Sequence, residues 1–271
     1  MPITPLVASY DVFLIDFDGC VWVGDDLTPR AADALAELRA AGKALAFVTN
    51  DGRHNEEAFV RKLWRLGAQA SLREIVTVGG ALQHVLNEEH HGASAYVIGA
   101  QAVHDHVEDA GLRIVNGSDF ASRAEVVVAA GHEGLVFDEL KVATQALLRG
   151  AAFLGAGRDA TYPTAGGTFP GTGALLGFLE AATGRTARTV GKPEAQIFHT
   201  ALDRLEATGD GVRTLVIGDR LDADLAGAHA AGLDGAVVLT GATSPAEARA
   251  AAEPAPVAVA DSLAELVLGS S

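Results

Sequence analysis

Asp16-Phe17-Asp18-Gly19 closes the apolar run Val12–Ile15 with two carboxylates at i and i+2. One carboxylate can attack phosphorus and hold the covalent product. A second carboxyl group can protonate a leaving oxygen and later activate water. The same four residues also suit a plain strand-end turn, where Asp and Gly are common. Thr49-Asn50 follows the apolar run 44–48. A hydroxyl and free backbone amides there can bind phosphate oxygens, although capping the helix that follows is the plainer use. Gly191-Lys192-Pro193 precedes a helical pattern. Proline fits a first helical turn, which puts Lys192 near the positive helix end unless an anion meets it. Gly218-Asp219-Arg220-Leu221-Asp222-Ala223-Asp224 sets three carboxylates behind the run 214–217. Such acids repel one another unless a cation sits among them. Mg²⁺ suits that place, taking one or two carboxylates plus phosphate oxygens and water. The plainer use is an acidic helix start, above all for Asp222.

The elements that must position these residues read as an alternation. Strand-like runs at 12–15, 44–48, 75–78, 95–98, 124–130, 151–154, 214–217 and 236–239 are interleaved with helical patterns. The helical patterns fall at 31–41, 56–66, 81–89, 101–110, 137–148, 173–182, 194–205 and 222–231. Apolar strands alternating with helices imply an α/β fold with a doubly wound parallel sheet. Ligands in such sheets sit beyond the carboxyl ends of the strands, so the four segments are expected to converge. The Gly-, Pro- and Thr-rich stretch 161–173 is expected to be a loop, and the Ala-rich run 245–256 a surface helix.

The balance of 35 acidic against 20 basic residues gives a formal charge of −15. That charge repels nucleic acid and anionic membranes, so neither is an expected partner. With 49% apolar residues the chain has material for a sizeable core. One cysteine, Cys20, excludes an internal disulfide and reads as a small buried residue. No apolar run reaches the ~18 residues of a membrane helix, and MPITPLVASYD carries no signal-like pattern. A cytoplasmic protein is expected. His90, His91, His104 and His106 read as surface residues, and Trp22 and Trp64 as packing residues.

The order Asp-x-Asp, Thr, Lys, Gly-Asp-x4-Asp resembles the haloacid dehalogenase superfamily of phosphohydrolases. DFDGCVW, FVTND, YPTAGGTFPGTG, VGKP and IGDRLDADLAGAHAAG resemble its NagD-like branch (subclass IIA), over about Asp11 to Gly241. The resemblance implies a Rossmann-like core at 1–90 and 187–271 with an inserted α/β cap at 91–186. It implies Asp16 as nucleophile, Asp18 as general acid/base, and Thr49 with the Asn50 backbone on the phosphate. Lys192 would neutralise charge on the nucleophile and phosphoryl group. Mg²⁺ would be held by Asp16, the Asp18 backbone carbonyl and Asp219, with Asp224 in support. Arg158, Asp159 and Tyr162 fall on the loop that sets specificity in relatives, and Arg158 could meet a second anionic group. The implied activity is hydrolysis of a small phosphorylated metabolite: glycerol 3-phosphate, phosphoglycolate, pyridoxal phosphate or a nucleoside monophosphate. A homodimer is left open. Cys20, Asp51 and Ala156-Gly157 depart from the usual pattern without removing a catalytic group. Two rival readings are a catalytically silent phosphate-binding module and an NAD(P) oxidoreductase. For the latter, Gly155-Ala156-Gly157-x-x-Ala160 loosely matches a dinucleotide fingerprint, but Tyr162-Pro163 breaks the helix it needs.

Overall fold

A computed structural model describes residues 3–164 and 167–270. The chain divides into two compact units, one of Met1–Thr49, Glu56–Val76 and Lys192–Ser271, the other of Asn50–Asn55 and Thr77–Gly191. The sequence reading set the insertion at 91–186, so the helix Val78–Glu89 falls in the second unit rather than in the core.

The first unit holds a six-stranded sheet in the order Ala258–Ala260, Asp234–Val238, Thr214–Gly218, Val12–Ile15, Ala44–Thr49, Ile75–Thr77. The strand Val12–Ile15 pairs in parallel with Thr214–Gly218 and Ala44–Thr49, all four of its residues buried. Burial on both faces explains why the sequence reads VFLI without polar alternation. From this strand the chain winds outward in two directions, so the sheet reverses its order beside Val12–Ile15. Phe13, Ile15, Phe47, Leu215 and Ile217 pack in one core with Leu35, Leu38 and Leu63. Each such side chain is worth ~1.5–3 kcal/mol when fully buried. The helix Ala31–Ala40 buries Ala31, Ala34, Leu35 and Leu38, a stripe at helical spacing.

The second unit carries a five-stranded sheet in the order Arg188–Thr189, Ala152–Gly155, Val126–Ala129, Ser94–Ile98, Arg113–Ile114, every pair parallel. The helices Gln101–Asp109, Phe137–Leu148 and Thr172–Thr183 belong to it.

Several expectations need correction. The stretch 161–173 is largely a ribbon, with Thr161–Thr164 antiparallel to Gly167–Pro170 and Tyr162 opposite Phe169. Threonines and an aromatic pair outweigh the Gly and Pro signals, and prolines are tolerated where every strand is an edge. Only Pro245–Ala250 of the run 245–256 is helical. Ser244 and Glu247 cap its start, while Pro254 and Pro256 bar its continuation. The helix expected from 222 begins as a π-helical turn, Leu221–Leu225, before Ala226–Ala230. His106 is buried, not on the surface, because Ala102, Val103, His106 and Val107 form the inner face of their helix. Its Nδ1 lies 2.8 Å from Gln83 Oε1. Trp64 is 64% exposed and contributes little packing. Among the described residues, no helix is long and apolar enough to cross a membrane.

Candidate active site

The strand ends of the first unit deliver the polar residues. Asp16 follows Val12–Ile15, and its amide extends the ladder to Ile217 O at 2.8 Å. Asp219 follows Thr214–Gly218, and Thr49 ends Ala44–Thr49. Lys192 lies ahead of the helix Ala195–Arg204, whose N-cap is Glu194. It is therefore not a helix-start residue, and it is not solvated either, being 6% exposed. Its Nζ donates to Asp16 Oδ1 at 2.5 Å, Asp224 Oδ1 at 2.7 Å and Val48 O at 3.2 Å. The anion that a lysine there requires is this pair of carboxylates.

Asp16, Asp219 and Asp224 are all buried, and one oxygen from each lies within 4.8 Å of the others. Lys192 pairs with Asp16 and Asp224, and among the described residues Asp219 has no ion pair, so the cluster is short of positive charge. Burial pushes the Asp16 carboxyl up to about 8, against the pull of Lys192 and with the push of Asp224 and Asp219. Burial also raises Asp219, partly opposed by the Ala242 amide. Burial works the other way on Lys192, but Asp16 and Asp224 overcome it and hold the ammonium above its ordinary range.

The two later acids differ in how they are satisfied. Asp224 is occupied: Oδ1 takes Lys192, and Oδ2 takes the Arg220 amide at 3.1 Å. Asp219 Oδ2 accepts the Ala242 amide at 2.6 Å, whereas Oδ1 is buried with no hydrogen-bond partner among the described residues. A buried carboxylate oxygen without a donor is costly, and a hard cation removes that cost. A Cβ at Gly19 or Gly241 would press into the Asp219 carboxylate, and Gly19 also has φ +83°. Residues Asp16 and Asp219 therefore fit a divalent ion, and Asp224 fits its supporting role.

Asp18 is exposed. Its Oδ1 accepts the Trp22 indole N–H at 2.9 Å. Asp222 pairs with Arg220 at 2.9 Å, away from the cluster's hydrogen bonds, and that pairing lowers its carboxyl.

In the second unit Asn50 Nδ2 donates to Asp159 Oδ2 at 2.9 Å. The unusual Asp51 is matched in charge. Burial would raise its carboxyl, but Arg53 hydrogen bonds outweigh that and lower it, with His54 adding to them. The Arg53 guanidinium lies 4.9 Å from the Tyr162 ring centroid. Arg158, which could meet a second anionic group of a substrate, donates here to Glu180 at 3.1 Å and to Ala187 O at 2.7 Å.

The sequence reading missed four contributors. They are the Trp22 indole, the Ala242 and Arg220 amides, and the Thr240 hydroxyl that donates to Gly19 O at 2.5 Å. A signal existed for the last group. Thr240-Gly241-Ala242-Thr243 is itself a small polar run just past an apolar strand.

Comparison with known proteins follows the same lines. Residues 13–113 match the model of the haloacid dehalogenase-like hydrolases, and residues 189–266 match the HAD-hydrolase-like model. The D-glycerol 3-phosphate phosphatase of Mycobacterium tuberculosis is 34% identical over 240 residues, which are 88% of this chain but 65% of that protein. The chain thus spans just under two thirds of that relative's length. A crystal structure of the glycerol phosphate phosphatase from that organism, in complex with magnesium, superposes with a TM-score of 0.87 over 96% of this chain and 78% of that one, at 34% identity. The glycerol-3-phosphate phosphatase of Gallus gallus is 33% identical over 264 residues, covering 90% of this chain and 84% of that protein. NagD of Escherichia coli K-12, 24% identical, shares the fold with a TM-score of 0.85 over 94% of this chain and 98% of that one.

Proposed function

The chain belongs to the haloacid dehalogenase-like hydrolases, and from that premise we propose that it is a Mg²⁺-dependent phosphatase of small phosphomonoesters, working through an aspartyl-phosphate on Asp16. The observation that carries this is the buried set of Asp16, Lys192 and Asp224 beside an Asp219 oxygen that lacks a donor. Asp16, Asp219 and the Asp18 backbone carbonyl would hold the ion. Magnesium, when bound, supplies the positive charge that lets a carboxylate approach a phosphate dianion.

The chain's own residues do the rest. Asp16 attacks phosphorus through one carboxylate oxygen, and the P–O bond to the leaving group breaks. The leaving oxygen keeps the electron pair and takes a proton from Asp18. Water then attacks the phosphorus and gives its proton to Asp18. The P–O bond to Asp16 breaks, which releases phosphate and restores both acids. Lys192 holds negative charge at the Asp16 carboxylate throughout, while Thr49 and the Asn50 amide bind phosphate oxygens. Arg158, Asp159 and Tyr162 remain the candidates for specificity.

Glycerol 3-phosphate is the first substrate to try, because two relatives at 33–34% identity are phosphatases of that compound. Phosphoglycolate, pyridoxal phosphate and nucleoside monophosphates complete the panel, scored by phosphate release. Hydrolysis of p-nitrophenyl phosphate should require Mg²⁺, and Asp16→Asn should abolish it with the fold intact. Turnover that survives either change would end the proposal.

A further inference from the structure

We propose that Trp22 is a positioning residue for Asp18, aiming its carboxyl group at the leaving oxygen; this rests on the phosphatase reading given above. The loop 17–22 folds back on itself through backbone bonds. Gly19 N donates to Trp22 O at 2.7 Å, and Trp22 N donates to Phe17 O at 3.1 Å. The turn brings the indole of Trp22 under the side chain of Asp18, where Nε1–H meets Oδ1 at 2.9 Å.

The donor is held far more firmly than its acceptor. Trp22 is 1% exposed, while Asp18 is exposed. The indole stacks on Phe17, with centroids 4.2 Å apart and planes at 9°. Phe17 stacks in turn on Phe47 at 5.0 Å and Phe59 at 5.1 Å. Lys62 Nζ sits 4.2 Å from the indole ring centroid and donates to Gly24 O at 2.8 Å. Packing and cation–π attraction thus fix the ring from several sides. A buried indole N–H needs an acceptor, and the one it has is the acid itself.

An exposed carboxyl group samples several rotamers, even on a loop that is otherwise buried. A single fixed donor on Oδ1 selects one of them and leaves Oδ2 to carry the proton. The indole nitrogen is the part of this ring that meets the acid.

General-acid help matters in proportion to how poor the leaving group is. p-Nitrophenolate departs readily without a proton, and phenolate does so less readily. Trp22→Phe keeps an aromatic ring on Phe17 and removes the donor together with part of the indole's buried volume, a loss of packing that would weigh on both esters alike. We expect kcat/KM for phenyl phosphate to fall by about tenfold or more, within the range general acids supply, while p-nitrophenyl phosphate changes by less than about threefold. Equal losses on both substrates, or none on either, would overturn the proposal. Trp64→Phe, a change at an exposed indole, should leave both rates as they are. A second measurement needs neither turnover nor a core substitution. The chain has two tryptophans, hence two indole N–H signals in a ¹⁵N–¹H spectrum, and Trp64→Phe assigns them. Asp18→Asn should move the Trp22 signal and leave that of Trp64 in place; an unmoved Trp22 signal sinks the idea. If the unaltered chain hydrolyses neither ester, the phosphatase reading fails, and the spectrum still decides whether the indole holds Asp18.

Discussion

Replacing Lys192 by methionine would leave Asp16 and Asp224 buried together with no cation between them. Deleting one partner of a buried ion pair costs about 3–5 kcal/mol, unless the acids escape by taking up protons. The expected result is a chain that still folds at low pH, loses stability progressively as pH rises from the ordinary carboxylate value of 3.8 through about 8, and has lost measurable turnover. Thermal melts across pH, with a phosphate-release assay, check both parts. Proton linkage at Asp16 gives a second prediction, with a definite sign. Its carboxyl is raised from 3.8 to about 8 by burial in the metal-free chain. The folded state therefore holds a proton that the unfolded state releases between those values, and metal-free stability falls as pH rises through that window. A bound divalent ion needs the ionised carboxylate, so it must expel that proton at low pH and need not at high pH. The rise in Tm given by Mg²⁺ should therefore be larger at pH 8 than at pH 6. Melts with EDTA and with saturating Mg²⁺ at the two values test it; an equal or reversed increment would separate Asp16 from the ion.

At the scale of elements, the loop after Asp234–Val238 matters as much as the strands that carry the acids. It supplies the Ala242 amide to Asp219 and comes so close that a Cβ on Gly241 would press into the carboxylate. Gly241→Ala should lower Mg²⁺ affinity at least tenfold while costing about 1–3 kcal/mol of stability, the usual range for overpacking. A Mg²⁺ titration of p-nitrophenyl phosphate hydrolysis, read beside a melt, separates the two effects. This element also shows where sequence reasoning stops. The ends of 12–15, 44–49 and 214–218 were legible because an apolar run followed at once by Asp, Thr or Gly-Asp is visible in residue types. The Ala242 and Arg220 amides were not, since every residue has a backbone N–H and only the fold says which one is aimed. Trp22 was legible as a packing residue, but its nitrogen could not be assigned an acceptor without the turn at 17–22. The ribbon at 161–170 was hidden for another reason, because cross-strand pairing of Tyr162 with Phe169 is non-local and opposes the local Gly and Pro signals. The partners of Arg158 were hidden in the same way, since Glu180 and the Ala187 carbonyl lie 22 and 29 residues away in sequence.

For the whole molecule the governing quantity is a formal charge of −15. A phosphomonoester dianion approaching such a surface meets repulsion before it meets Lys192 or a bound ion. The buried cluster is screened little by salt, but the surface field that a diffusing substrate crosses is screened over about 10 Å at 0.1 M. Encounter and chemistry should therefore respond differently to ionic strength. With Mg²⁺ kept saturating, raising NaCl from about 10 to about 150 mM should increase kcat/KM for p-nitrophenyl phosphate by about two- to fivefold, in line with field effects on association. It should leave kcat nearly constant, because Asp16, Lys192 and Asp224 exchange charge out of reach of the added ions. An enzyme whose charge attracted its substrate would show the opposite slope. A fall in kcat/KM with salt would mean that a local positive field at the mouth of the site outweighs the charge of the chain as a whole. Comparing the slopes for the dianion near pH 8 and the monoanion near pH 5 adds an internal control, since halving the substrate charge should roughly halve the logarithmic response.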